Sequence, residues 1–296
     1  MADYYWDGQI DYLRRTRGLY YNDDYLAFLV RDVWKLHEPV SMADFGCGFG
    51  YMGLQLLPLL PEGSRYIGID KGKELLARAR AIFAELPFEA DFIEADLEAP
   101  GPVPQLERRY DIALSHAFLL HMPEPLKALR TMIDSVADGG RIICFEPHWI
   151  GNMANYGFGD VEQSALVRLG ALQKLYEADR SRTGKNGNIG LQLPMLLSQL
   201  GVRNVECRVS DKVNFLDACM DRTERERLYA SLAEEGLGQS PGDAAEVIGR
   251  LTSRGLTDQE AREQYEAELL FSQVFDESFR LTYAPNMKIS FGTVAR

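Results

Sequence analysis

No run of this chain approaches the roughly 18 apolar residues needed to cross a bilayer. The segment Met1-Ala-Asp-Tyr-Tyr-Trp-Asp7 has no basic stretch leading into an apolar one. The expectation is a cytoplasmic protein with no membrane partner. Cysteine is scarce: Cys47, Cys144, Cys207 and Cys219 stand far apart, without a C-x-x-C or a Cys/His ligand spacing. That pattern argues against a disulfide framework or structural zinc, and no metal is expected. Positive charge is also short. With 32 Lys and Arg against 44 Asp and Glu the net charge is −12, and the densest basic clusters, Arg14-Arg15-Thr-Arg17 and Arg180 to Lys185, are brief. A polyanion would be repelled, so nucleic acid is not an expected partner. Internal repeats and low-complexity tracts are missing too.

What is present is 296 residues with 46% apolar content, enough to bury a full core in one large domain or in one domain carrying an insertion. Short β-type runs alternate with helical patterns from residue 40 to 146, as in βαβ units of a doubly wound parallel sheet. The candidate strands are Val40 to Phe45, Arg65 to Asp70, Asp91 to Ala95, Tyr110 to Ser115 and Arg141 to Glu146. Apolar residues at helical spacing fill the gaps, Leu75, Leu76, Ala79, Ile82, Phe83 and Leu86 among them. Further on, Val161 to Ala178 reads as a helix, Arg180 to Asn188 as a polar glycine-rich loop, and Pro194 to Leu200 as a short helix. Arg203 to Phe215 and Met287 to Val294 alternate as two more strands, too far apart for a hairpin. Helix starts at Thr223, Pro241 and Thr257, the last with capping-box spacing to Glu260, fill that interval. Three regions follow: an aromatic-rich helical cover over 1–37, an α/β domain over 38–216 and 286–296, and a helical insertion over 217–285.

Asp44-Phe-Gly-Cys-Gly-Phe-Gly50 closes the first strand. Gly46, Gly48 and Gly50 let a turn take positive φ and let a ligand approach the main chain, and Asp44 brings an acceptor to the same rim. Gly48-Phe-Gly50-Tyr-Met-Gly53 is formally a G-x-G-x-x-G, which by itself leaves a nicotinamide cofactor open. In an open α/β sheet the residues just after successive strands meet in space. Asp70 is then placed to accept from both hydroxyls of a ribose, and Asp96 from an adenine amino group, with Leu97 over the ring face.

Asp44-x-Gly-x-Gly-x-Gly50, Asp70, Glu94-Ala-Asp96 and Asp138-Gly-Gly140 together resemble the class I S-adenosylmethionine-dependent methyltransferases, over roughly residues 38 to 147. Tyr110 to Pro123 looks like the fourth-strand segment of small-molecule members. The resemblance implies a Rossmann-like, seven-stranded, mostly parallel sheet with the seventh strand antiparallel. It also implies S-adenosylmethionine at the glycine turn: Gly46, Gly48 and Gly50 beneath it, Asp44 at its amine, Asp70 at the ribose, Asp96 and Leu97 at the adenine. Lys71 would lie at the adenosine rim. Residues 217 to 285 depart from the family by interrupting its last hairpin, so they close the substrate pocket or form a subunit contact, and a homodimer stays open.

Methyl transfer is an in-line displacement that needs a positioned, desolvated nucleophile and, for a hydroxyl, a base. His116, Glu146 and His148 are the candidate catalytic residues, since each ends the fourth or fifth strand. Tyr20, His121, Glu146 and His148 are candidate contacts to a small-molecule acceptor, methylated at nitrogen or oxygen. Tyr21 and His116 are also candidates for touching the cofactor. Six tyrosines, Tyr4, Tyr5, Tyr12, Tyr20, Tyr21 and Tyr25, precede the first sheet strand with Trp6 and Trp34, a composition suited to a water-excluding cover. Arg14, Arg15 and Arg17 read as a solvated helix face. The alternatives are an RNA or protein methyltransferase, a nicotinamide-dependent oxidoreductase, and a non-catalytic S-adenosylmethionine-binding protein.

Overall fold

The computed structural model describes residues 5–99 and 109–296; Tyr4, counted above in the aromatic cover, lies outside them. Before the first strand come helices α1 (Ile10–Thr16) and α2 (Asp23–Phe28), joined and flanked by short irregular helical turns. The main sheet is built from β1 (Ser41–Phe45), β2 (Arg65–Asp70), β3 (Glu89–Glu94), β4 (Tyr110–His116) and β5 (Val136–Pro147), with α3 (Tyr51–Leu56), α4 (Lys73–Phe83) and α5 (Pro125–Ser135) between them. Then follow α6 (Trp149–Ala154), β6 (Tyr156–Phe158), α7 (Gln163–Leu166), α8 (Leu169–Thr183), α9 (Leu193–Gln199), β7 (Arg203–Val209) and β8 (Asn214–Leu216). The chain ends with α10 (Arg222–Glu234), α11 (Ala244–Ser253), α12 (Asp258–Val274), β9 (Leu281–Tyr283) and β10 (Met287–Thr293).

The seven strands run in the order β3-β2-β1-β4-β5-β10-β7, and β10 is antiparallel to both neighbours. The order reverses between β1 and β4, which opens a crevice at the carboxyl ends of these strands. Alternate residues feed two apolar layers because side chains on a strand point to opposite faces. Met42, Ile112, Ile143 and Phe145 enter one layer; Ala43, Ala113, Ile142 and Cys144 enter the other. Trp34, fully buried, packs edge-on against Phe145 and Phe291, and so holds the cover's end on the sheet.

Two expectations need correction. Arg203 to Phe215 is not one strand: Ser210 breaks it, its N–H and hydroxyl bonding to the backbone of Met287 and Pro285. The piece beyond, β8, joins a second, three-stranded sheet in the order β6-β9-β8, which the sequence reading did not contain. The helix expected over Val161 to Ala178 is two helices, broken where Val167 takes an extended conformation. The capping box at Thr257 and Glu260 is present and starts α12.

Candidate active site

The glycine turn after β1 is tied down from beneath. Gly46 and Cys47 donate their N–H groups to the Ile69 carbonyl of β2, and Gly48 donates to Asp70 Oδ2 at 2.9 Å. Gly46 has φ 73°, and a Cβ there would meet the Phe118 ring at 2.3 Å. Gly48 differs: φ is 55° and a Cβ would meet nothing within 4 Å, so its missing side chain leaves open space above the turn. Gly50 does not face that space; with φ 85° it starts α3 and lies over Phe83. Gly53 packs on Tyr66, which accounts for the last glycine of the G-x-G-x-x-G without a ligand.

Above the turn is a cleft of about 820 Å³, partly open to solvent. Asp44, Gly46, Gly48, Asp70 and Lys71 line it, as do Asp96, Leu97, His116 and His121. Three strand ends thus bring Asp44, Asp70 and Asp96 to one place. Asp70 spans the turn, its Oδ1 accepting from Gly72 N at 2.8 Å and its Oδ2 from Gly48. Asp96 Oδ1 accepts from Glu98 N at 2.9 Å, and Lys71 pairs with Glu98 at 2.6 Å, bracing the far rim.

Asp44 is almost fully buried. Its Oδ2 accepts from the Tyr66 hydroxyl at 2.6 Å, whereas Oδ1 has no hydrogen-bond partner. Burial, with Asp70 nearby, pushes this carboxyl up to about 7 despite the Tyr66 bond and the field of Arg17. His116 is buried against Tyr21, Nε2 to hydroxyl 3.0 Å, and burial holds its pKa well below the usual range, so the ring is neutral. His121 packs on Trp6 at 5.1 Å between ring centroids, and burial lowers it to about 4.

The remaining candidates lie elsewhere. Tyr21 touches the cleft only through His116, and Tyr20 turns away to bond Glu235 of the helices after β8. Glu146 does not reach the cleft. Its Oε1 accepts from Phe118 N (3.0 Å) and Leu119 N (2.8 Å), its Oε2 from Leu120 N (3.3 Å), so it holds the loop after β4 in place. Burial, opposed by those three bonds, lifts its carboxyl to about 7. His148 is half-buried at the start of α6, where burial and Lys288 lower its pKa, and it is not part of the cleft lining.

The sequence reading gave Trp6 only to the aromatic cover, missed Leu13, Tyr51 and Phe118 as cleft residues, and misplaced Arg17. Arg17 is half-buried and faces the cleft, and its guanidinium makes no hydrogen bond or ion pair with a described residue. The signal available was the spacing Leu13 to Arg17, one helical turn that puts both on one face. A free guanidinium and a free carboxylate oxygen in one cleft complement a ligand bearing both an ammonium and a carboxylate. Among the described residues, no group of three or more His, Cys, Asp and Glu is arranged to hold a metal ion, and no helix is long and apolar enough to cross a membrane.

A sheet of this order, with strand-end carboxylates over a glycine turn, is the Rossmann-like methyltransferase fold. Residues 43–142, about a third of the chain, match the methyltransferase domain family. Ubiquinone biosynthesis O-methyltransferase of Aliivibrio fischeri is 28% identical over 129 residues, 44% of this chain and 52% of the relative. An uncharacterised 37.1 kDa transposon protein of Streptomyces fradiae is 30% identical over 162 residues, 54% of this chain and 43% of the relative. The chain therefore matches about half the length of these relatives. A crystal structure from Bacillus halodurans, described as a methyltransferase, superposes with TM-score 0.49 at 12% identity, over 92% of this chain and 100% of that one.

Proposed function

We propose that the protein transfers the methyl group of S-adenosylmethionine to a nitrogen or oxygen of a small-molecule acceptor. The observation that carries this reading is the convergence of Asp44, Asp70 and Asp96 on one cleft above an open glycine turn. Asp44 Oδ1 and the Arg17 guanidinium would hold the amino and carboxyl groups of the methionine tail. Asp70, which holds the turn at Gly48 and Gly72, would accept from the ribose hydroxyls. Asp96 would accept from the adenine amino group, and Leu97 would cover its ring. Bound there, S-adenosylmethionine supplies a methyl group on a sulfonium, open to in-line displacement.

The chain's own part is to bind, orient and exclude water. Trp6 and Leu13 roof the cleft from the N-terminal side, and Phe118 closes it beneath Gly46. Neutral His116 keeps one ring nitrogen as an acceptor, so it can receive a proton from the acceptor molecule or orient it, with Tyr21 fixing the ring. The roofed cleft and the net charge of −12 favour a small acceptor over nucleic acid. The reading is tested by incubating the protein with metabolite extract and methyl-labelled donor, and by comparing S-adenosylhomocysteine with a nicotinamide dinucleotide in calorimetry. Labelled product and preference for S-adenosylhomocysteine are expected; preference for the dinucleotide rejects the assignment.

A further inference from the structure

We propose that the free edge of β7 pairs with the same edge of a second copy of the chain, antiparallel about a two-fold axis at Cys207, so that two seven-stranded sheets run on as one. This goes beyond methyl transfer and does not depend on it.

β7 ends the main sheet, and among the described residues it pairs with β10 alone. Ser210 donates its N–H to the Met287 carbonyl, which sets the phase of the ladder. In an antiparallel ladder that orientation recurs at every second residue, so Arg208 and Glu206 also turn their backbone groups toward β10. Cys207 and Val209 turn theirs outward, and the Cys207 carbonyl is open to the Arg208 guanidinium at 3.5 Å. A register shift between Arg203 and Glu206, where Asn204 has φ 50°, makes Val205 the start of the straight edge. Side chains alternate along it, with Val205, Cys207 and Val209 on one face and Glu206 and Arg208, both about half exposed, on the other.

This edge complements its own reverse. Turned about Cys207, Val205 of one copy stands opposite Val209 of the other and Glu206 opposite Arg208, each pair occurring twice. Farther out, Arg203 is set toward Asp211. Glu206 and Arg208 fall in the closer, non-hydrogen-bonded class of pair, with about 4.5 Å between Cα atoms. Within one chain these two residues lie 3.0 Å apart, so pairing joins two such bridges into one cluster of alternating charge. An axis one residue to either side instead opposes Glu206 to Glu206 or Arg208 to Arg208, which is destabilising. Residues 203–211 balance Arg203 and Arg208 against Glu206 and Asp211, so the contact is neutral although each chain carries −12. An edge that only resists pairing is served by charge of one sign; this one alternates.

Apolar surface extends the contact beyond the backbone bonds. Val209, Val213 and Phe215 are 44%, 58% and 55% exposed in one short stretch. Helix α2 lies alongside, because Asn22, just before it, donates to Asp211 from its backbone N–H at 3.1 Å and its side-chain amide at 2.7 Å. One and two turns on, Tyr25 stacks with the exposed Phe28. Strand addition supplies main-chain bonds, and such flanking residues supply the area that a stable dimer needs.

The test is sedimentation velocity on the full chain at micromolar concentration. The wild type should sediment as a dimer. Glu206→Arg and Arg208→Glu each set like charges opposite one another and should weaken self-association at least about tenfold. Mixed in equal amounts, the two single variants should form a heterodimer, since each offers the other the opposite charge. A variant carrying both substitutions should again dimerise with itself. Both positions are exposed, so circular dichroism should match the wild type; if one single variant fails to fold, the other and the double variant decide. A monomeric wild type, a dimer indifferent to both single variants, or a mixture of folded single variants that stays monomeric overturns the proposal.

Discussion

Asp70 clamps the glycine turn at Gly48: its Oδ2 accepts the Gly48 N–H at 2.9 Å while Oδ1 accepts from Gly72 at 2.8 Å. One side chain thus shapes the turn and the start of the following helix before any ligand arrives. Asp70→Ala should lose stability, on the order of 2 kcal/mol for two charge-assisted bonds left open, as well as S-adenosylhomocysteine affinity. Denaturant titration and calorimetry on the same preparation check both. Unchanged stability would mean that the turn is held by the Ile69 carbonyl alone.

Asp44 makes stability depend on pH in a direction opposite to that of a salt-bridged carboxylate. Its folded pKa, about 7, lies above the usual 3.8, so the folded state holds the proton more tightly than the unfolded chain. The stability this contributes is complete below pH 4 and is lost as pH rises through 7. Asp44→Asn has no such loss. Relative to wild type, the melting temperature of the variant should therefore improve from pH 5 to pH 8, while its S-adenosylhomocysteine affinity falls. A pH-independent difference between the two melting curves would contradict the buried, uncompensated oxygen.

Arg17→Leu separates the two ends of the proposed cofactor. Binding of S-adenosylhomocysteine should weaken by roughly tenfold or more, the loss of a charge-assisted contact, whereas 5′-methylthioadenosine, which lacks the amino-acid tail, should bind as it does to wild type. Equal losses for both ligands would place Arg17 elsewhere than at the carboxylate.

Glu146→Ala should act on stability. It strands the N–H groups of Phe118, Leu119 and Leu120 in the interior, at about 1–3 kcal/mol for each unsatisfied donor, and it loosens the loop that carries Phe118 and His121. Chemical denaturation should register the largest drop among these variants. A full-stability Glu146→Ala protein would show that water replaces the carboxylate.

The parts readable in the sequence are those fixed by local spacing. A glycine turn after an apolar run, and a carboxylate one step beyond each strand, need only the βαβ repeat to be brought together. Arg17 was illegible because helical periodicity identifies a face, not the element it docks against; only the packed cover turns it toward Asp44 and His116. Glu146 was placed at the right strand end, yet the direction of its side chain depends on three N–H groups from residues 118–120 that converge only in the folded chain. The strands β6, β8 and β9, of three residues each, are too short for alternation to register.

The position of β10 has a consequence for biosynthesis. It lies between β5 and β7, and among the described residues β7 bonds to no other strand of the sheet. A ribosome that has delivered residues 203–209 has made a strand with nothing to zip onto, and β5 keeps a bare edge for some eighty further codons. The sheet can be sealed only when residues 287–293 emerge from the exit tunnel, so its closure waits until the whole stretch between β7 and β10 has been made.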